Sequence, residues 1–273
     1  MFQTHEKTTL WHSAVAMTVL VYHVAVRQVR KSNGNAVKGL ILLVAQNLIM
    51  IAAFYALAEF LSMRSAKIRG DLILFVMSGV FMFMTHTKAI GAVASSAGAA
   101  SSIMKHGPMN TLVVIFGNAL GALYSQVFAL CVILFVYHAA FMPITIYDPV
   151  GAMGMVLLSW ASGVAIGVIF LGVKPWAPNM IGILQQTYSR INMFASGKMF
   201  LANSTPGILR QFFDWNPLFH TIDQGRGFTF INYSPHYTSI SYPLILTLVL
   251  FTVGLMGEFF TRQHVSASWS ARN

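Results

Sequence analysis

Charged residues are scarce in this sequence, and acidic residues are scarcer still. Of its 273 residues, 9% are Asp, Glu, Lys or Arg, and only seven are acidic. Soluble domains carry roughly 25% charged residues. Because 56% of the residues are hydrophobic and the mean hydropathy is +0.66, the sequence predicts an all-α polytopic membrane protein rather than a soluble domain.

Several chemical devices are also absent from the sequence. The one cysteine, Cys131, lies in an apolar run, so an intrachain disulfide is excluded. Gly34 and Gly39 have the glycine spacing of a phosphate-binding loop, but Leu40 follows them where the motif requires lysine. The sequence contains no His/Cys cluster with metal-ligand spacing and no Gly-x-Ser-x-Gly nucleophile motif. We therefore expect no metal, no cofactor and no catalytic residue in this chain.

The charge that is present is mostly positive, with a formal net charge of +10. In a soluble protein this excess would indicate nucleic acid as a binding partner. In a membrane protein, basic loops face anionic lipid and cytoplasmic partners. We expect the lipid bilayer as a partner and no nucleic acid. If both termini are cytoplasmic, ten basic residues fall inside and six outside, a modest bias of the expected sign.

Six segments are long and apolar enough to be predicted as membrane spans, since a span needs about 20 such residues. They cover approximately residues 40–61, 72–94, 111–137, 150–173, 179–202 and 240–260. Near the inner end of the second span, His86 and Lys88 are expected to reach the water interface. In the fourth span, Gly163 and Gly167 favour a close approach of another helix.

Residues 10–31 form a further helix candidate of different character. Four basic residues share one of its faces: His23, Arg27, Arg30 and Lys31. A basic face opposite an apolar face indicates a helix that lies in the membrane interface. The alternative is a seventh span, because residues 13–26 are nearly all apolar.

The fifth predicted span carries an unusual set of polar residues. They are Gln185, Gln186, Ser189, Arg190, Asn192 and Ser196. An arginine near the middle of a membrane costs about 3 kcal/mol on insertion scales, so this face cannot meet lipid. The set indicates either a path for a polar substrate or a buried structural hydrogen-bond network.

Residues 196–226, which we call the broken segment, are too hydrophobic for an exposed loop and too interrupted for a span. Its proline breaks predict two short helices, at about 205–214 and 217–224, with a sharp corner before the second. Broken backbone at membrane depth persists only where protein covers it or water fills a cavity. The residues of interest are Pro206, Asn216, Pro217, His220, Asp223 and Arg226. His220 and Asp223 lie on one helical turn. They could form a titrating pair, or their side chains could cap a short gate helix.

This arrangement resembles a known family. The order Ser196-Gly197, Pro206, Asn216-Pro217-Leu218-x-His220 and Arg226 is similar to the permease subunit of ABC-2 type exporters, most of all the capsular-polysaccharide and O-antigen branch. There the two short helices are called periplasmic gate helices. The resemblance implies an N-terminal interfacial region, residues 1–39, and an ABC-2 type transmembrane domain, residues 40–273, with six spans and re-entrant gate helices.

The resemblance also implies a function and partners. It implies export of a lipid-linked polysaccharide across the bacterial inner membrane, with both termini cytoplasmic, by two copies of this chain and two ATPase chains that bind ATP-Mg. The loop at 95–108 would hold a coupling helix that docks on the ATPase. Its candidate residues are Ser101, Ser102, Ile103, Met104, Lys105 and His106. A plain connecting loop is the alternative.

Three other functions compete with this one. An exporter of the same family could carry a drug, a lipid or a teichoic-acid-like polymer. A membrane-embedded transferase would need a convergent acid/base constellation, for which seven acidic residues offer little material. A non-transporting membrane scaffold would have no use for the polar residue expected at mid-membrane, Arg190.

Overall fold

The computed structural model describes residues 10–31, 35–60, 71–96 and 111–264, and every regular element in these ranges is helical. The α-helices are α1 Leu10–Lys31, α2 Ala36–Phe60, α3 Leu72–Ala94, α4 Thr111–Ala140, α5 Pro149–Val173, α6 Pro178–Ala195, α7 Gly207–Phe213, α8 Pro217–Thr229 and α9 Ser241–His264. A short 3-10 turn, Ala202–Ser204, lies between α6 and α7. The predicted all-helical class is confirmed for this part of the chain.

Within the described ranges, five helices are long and apolar enough to cross a membrane: α2, α3, α4, α5 and α9. Their bounds agree with five predicted spans to within a few residues, and the chain is a multi-pass membrane protein. The fifth predicted span, 179–202, differs from the structure. The corresponding helix α6 ends at Ala195 and is not among the five, because polar residues occupy much of its second half.

Capping residues explain where several helices begin. The Asp71 side chain accepts a hydrogen bond from the backbone N–H of Ile73 at the start of α3. Asp148 does the same for two backbone N–H groups at the start of α5, where Pro149 takes the first helical position. An acidic N-cap satisfies donors that have no partner within the helix, and proline loses nothing at that position.

Helix α3 lies at the centre of the bundle and packs along α5. Small residues permit this contact: a Cβ on Gly163 would collide with the carbonyl of His86, and one on Gly167 would lie 2.8 Å from the Cβ of Val93. The predicted close approach at these two glycines is confirmed. The expectation that His86 reaches water is wrong, because its side chain is fully buried against α5.

Helix α1 packs on α4 and is not among the five candidate spans. Val24 is buried where Gly117 leaves room for it, and Gly121 faces the backbone of Ala25. The basic side chains of Arg27 and Arg30 are exposed. Whether α1 lies in the membrane interface stays a prediction, since the structure describes its packing on α4 and no membrane.

Helix α8 enters the bundle beside α3, α5 and α9. Ten of its 13 residues are buried, although it carries His220, Asp223 and Arg226. The fold therefore places the second half of the broken segment among the long helices, and the contacts of its polar side chains define the candidate site.

Candidate functional site

The corner between α7 and α8 is built by Asn216. Its backbone is extended (φ −89°, ψ 113°), and its Oδ1 accepts from the backbone N–H of Leu218 at 3.0 Å. Its Nδ2 donates to Asn192 Oδ1 at 2.7 Å and to the carbonyl of Ala195 at 3.0 Å. Since Pro217 follows at the first helical position, the predicted break is confirmed. The Asn216 side chain also joins the start of α8 to the end of α6.

His220 has different partners from those expected of a titrating pair. Its Nδ1 accepts from the backbone N–H of Ser239 at 3.1 Å, so Nε2 carries the proton and donates to the carbonyl of Asp214 at 2.9 Å. Its ring also lies 4.8 Å from that of Tyr242. These contacts join α8 to the chain that leads into α9, and they agree with the polar-cap interpretation of His220.

The carboxylate of Asp223 accepts three hydrogen bonds. The donors are the backbone N–H of Ala202 at 3.2 Å, the hydroxyl of Tyr233, and the hydroxyl of Thr238 at 2.9 Å. Burial and the neighbouring carboxylate raise the pKa of Tyr233, so its hydroxyl stays protonated and donates. Asp223, only 1% exposed, thereby joins α8 to the segments on either side of it.

Arg226 is fully buried and holds a turn of backbone in place. Its guanidinium donates to the carbonyls of Gly197, Lys198 and Phe200, two of them at 2.8 and 2.7 Å. The same group lies 3.9 Å above the ring of Phe75 on α3. Carbonyl oxygens and an aromatic face replace the water that a guanidinium would otherwise bind.

The turn that Arg226 holds requires glycine at one position. Gly197 has φ +71°, a conformation that other residues adopt at a cost, and an added Cβ would lie 2.5 Å from the ring of Phe219. The next residue, Lys198, is 1% exposed, and its ammonium lies 3.6 Å from the ring centre of Phe83 and 4.1 Å from that of Phe54. Among the described residues its Nζ has no hydrogen-bond partner.

The structure divides the predicted polar set of α6 between two faces. Gln186 and Arg190 are exposed, together with the apolar residues Ile191 and Phe194. Asn192 is buried against the corner. The remaining residues divide likewise: Gln185 and Ser189 are half-buried, and Ser196 is buried with its hydroxyl unpartnered in the described part of the chain.

Two functional predictions are not placed in this cluster. Pro206 is exposed at the start of α7, away from the buried contacts of α8. The six coupling candidates, Ser101, Ser102, Ile103, Met104, Lys105 and His106, lie outside the described residues.

Besides the hydrogen bonds from Asn216, α6 is held by a contact with His86 that the sequence analysis missed. The ring Nε2 of His86 lies 3.0 Å from the hydroxyl of Tyr188 on α6, and Nδ1 lies 2.9 Å from Ser162 Oγ on α5. Since Ser162 donates its own proton to Ser159, the consistent arrangement has Nδ1–H donating to Ser162 and Tyr188 donating to Nε2. The signal in the sequence was a histidine within the predicted second span, two residues before Lys88.

The polar side chains of the cluster around α8 hold backbone segments of the same chain in place. Its polar groups contact carbonyls, amide N–H groups and hydroxyls of the same chain. In the described ranges no group of three or more His, Cys, Asp or Glu side chains could hold a metal. The outward residues of α6, in contrast, have no such partners described and remain available to a second chain or to water.

Comparison with known proteins does not assign the chain to a family: no family model matches it, and no curated protein matches it.

Proposed function

We propose that the chain is the membrane subunit of an ABC exporter that moves a lipid-linked polysaccharide, of capsule or O-antigen type, across a bacterial inner membrane. It acts as a homodimer with two ATPase chains that bind ATP-Mg, and its termini are cytoplasmic. In this proposal α6 completes a six-span layout. The observation that carries it is the helix–corner–helix of α7 and α8, which enters the bundle before the last span.

The outward face of α6 supports a path between two copies. Gln186 and Arg190 share that face with exposed apolar residues, and an arginine facing lipid at mid-membrane carries the insertion cost noted above. A second copy of α6, with water and sugar hydroxyls between the two, would give the guanidinium polar neighbours. In this proposal the half-buried Gln185 and Ser189 lie at the edge of the path, and Asn192 and Ser196 support it from behind.

A different cargo for the same kind of exporter has one observation in its favour. Ile208 and Phe212 on α7, and Trp215 at the corner, are each at least 75% exposed. Such an apolar surface beside the proposed path suits a lipid or a drug as well as it suits a membrane. Transport assays with the two kinds of cargo separate these alternatives.

The test is reconstitution in proteoliposomes with a candidate ABC ATPase lacking membrane spans. We expect the chain alone to hydrolyse no ATP, the complex to hydrolyse it, and lipid-linked oligosaccharide to stimulate that hydrolysis. Stimulation by a free lipid or drug, and not by the oligosaccharide, would favour the second cargo. ATP hydrolysis by the isolated chain would contradict the proposal.

A further inference from the structure

Two cavities that open to the surface lie between α3, α4 and α5, near the end of α8. The first, which we call the polar cavity, has a volume of about 350 Å³, and its walls include Asp71 and Tyr137. The second, the apolar cavity, has a volume of about 240 Å³ and is lined mainly by apolar side chains. Leu74, Ile146 and Thr229 line both, so the two cavities adjoin.

The polar cavity lies at one end of the helix bundle. Gly163 on α5 lies against His86 on α3. Gly167, one turn further along α5, lies against Val93, which is further along α3, so the two helices run in the same direction and begin at the same end. The last turn of α4 joins them there through a hydrogen bond to Asp71. Because all three helices are candidate spans, this end of the bundle lies at a membrane surface.

The apolar cavity extends from that end toward the middle of the bundle. Its walls include Leu74 and Met82 on α3, and Pro149 and Val156 on α5. Met82 follows Asp71 by eleven residues, or about 16 Å of helix rise, which is half of the roughly 30 Å thickness of a bilayer core. An apolar cavity of this depth that begins at a membrane surface suits one hydrocarbon chain of a lipid.

The polar cavity carries negative charge. Its described walls include one carboxylate, Asp71, and no Lys, Arg or His. This half-buried carboxylate accepts from the backbone N–H of Ile73 at 2.9 Å and from the hydroxyl of Tyr137. Both donors are neutral, so they supply hydrogen bonds and no positive charge. Because a carboxylate has about four lone-pair sites, Asp71 can accept further hydrogen bonds from an occupant of the cavity.

Aromatic rings and carbonyl groups complete the polar cavity. Tyr137, Tyr147 and Phe230 line it, and the face of an aromatic ring attracts a cation. The chain from 142 to 146, which also lines it, has no regular structure, and none of its carbonyl oxygens accepts a hydrogen bond from the described residues. The cavity therefore complements a cationic group that has several N–H donors.

We propose that the two cavities together bind one phosphatidylethanolamine molecule. Its ammonium group, which has three donors, lies against Asp71, the aromatic rings and the carbonyls of residues 142–146, and one acyl chain lies in the apolar cavity. An anionic headgroup would instead place a second negative charge beside Asp71. The inference does not rest on the proposed transport function, since neither α6 nor the corner at Asn216 contributes to the site.

A simpler occupancy competes with this one, namely water in the polar cavity and any acyl chain in the apolar cavity. Lipids would then bind by their chains alone, and the headgroup would not matter. The variant Asp71→Asn separates the two cases. Because Asn caps a helix as well as Asp does, it keeps the hydrogen bond to Ile73 and removes only the charge.

The test is native mass spectrometry of the purified full-length chain, titrated with phosphatidylethanolamine and phosphatidylglycerol that carry the same acyl chains. We expect phosphatidylethanolamine to be retained more tightly. Asp71→Asn should reduce that preference by about fivefold, the size expected of one ion pair at a partly exposed site. Ala152→Leu fills the apolar cavity from α5, so it should weaken the retention of both lipids and leave the preference unchanged.

Asp148→Asn is the matched control. Asp148 is also an N-cap at this end of the bundle, where it accepts from the backbone N–H groups of Val150 and Gly151, but it lines neither cavity. This variant should keep the preference of the wild type.

Three results would overturn the proposal. The first is equal retention of the two lipids by the wild type, and the second is an equal loss of preference in Asp71→Asn and Asp148→Asn. The third is unchanged retention in an Ala152→Leu variant whose Tm shows that it is folded. Glycerophosphoethanolamine, which lacks acyl chains, should not displace the bound lipid, and displacement at equal concentration would contradict the acyl-chain contact.

Discussion

Helices α6 and α8 carry similar polar residues but lie in opposite surroundings. In α6 only Ile181 and Asn192 are buried, whereas ten of the 13 residues of α8 are buried. The arginine of α6, Arg190, is exposed, and that of α8, Arg226, is fully enclosed. Polar composition therefore does not determine which of the two helices is inside.

What differs is the supply of partners within the chain. Arg226 meets three carbonyls that a glycine turn directs toward it, and Asp223 meets three donors. Buried polar groups that find partners rigidify the structure around them. Arg190 has no hydrogen bond or aromatic contact with the described residues, and in the proposed exporter a second copy of α6 and water would supply its partners. Contacts within the described residues hold Arg226, whereas Arg190 is exposed.

The largest expected effect of a single substitution is that of Arg226→Met. It would leave the carbonyls of Gly197, Lys198 and Phe200 without their donor and Asp223 without a nearby positive charge. We expect a loss of about 4 kcal/mol in the free energy of unfolding, measured by denaturation in detergent. Arg190→Met is the control and should cause no measurable loss. Equal losses in the two variants would remove the contrast between the helices.

Gly197→Ala should come next, at about 3 kcal/mol, because alanine is strained at positive φ and its Cβ would press on Phe219. The matched control is Gly182→Ala on α6, where a Cβ meets no atom within 4 Å. Alanine there should stabilise the helix by up to about 1 kcal/mol. A destabilising Gly182→Ala would show that α6 packs against something on that side even in the isolated chain.

Asn216 sharpens the comparison because it contacts both helices. Asn216→Ala should cost about 1–2 kcal/mol through loss of the cap. Asn216→Asp keeps the Oδ1 that accepts from the Leu218 N–H at the start of α8, but it loses the amide that donates to Asn192 on α6. It therefore separates the contribution of the cap from that of the contact with α6. If Asn216→Asp is as stable as the wild type, the hydrogen bonds from Asn216 to α6 contribute nothing to the free energy of unfolding.

The sequence predicted the elements better than it predicted their surroundings. Five spans follow from long apolar runs, and the corner follows from Asn216-Pro217, since both are local properties of the chain. The close contact of α3 and α5 follows from Gly163 and Gly167. These predictions needed no knowledge of which helices are neighbours.

The rest depends on contacts between residues distant in sequence. Lys198 is one of the six basic residues that cytoplasmic termini would put outside the membrane, yet it lies between two aromatic rings of α2 and α3. His86 was expected at the water interface, but Ser162 and Tyr188 supply its partners from 76 and 102 residues away. The polar residues of α6 were expected to face one cavity or partner together, whereas Asn192 is buried against the corner at Asn216 and Arg190 is exposed.

The central claim, that the outward face of α6 meets water in the assembled protein, is tested most directly by thiol labelling in intact membranes. Exposed Cys131 is first replaced by alanine. A thiol reacts through its thiolate, which forms in water and not in lipid. We predict that Gln186→Cys reacts with a membrane-impermeant reagent. Ile49→Cys should not react, because Ile49 is 70% exposed on an apolar face of α2 that would meet lipid. An unreactive Gln186→Cys would contradict the account.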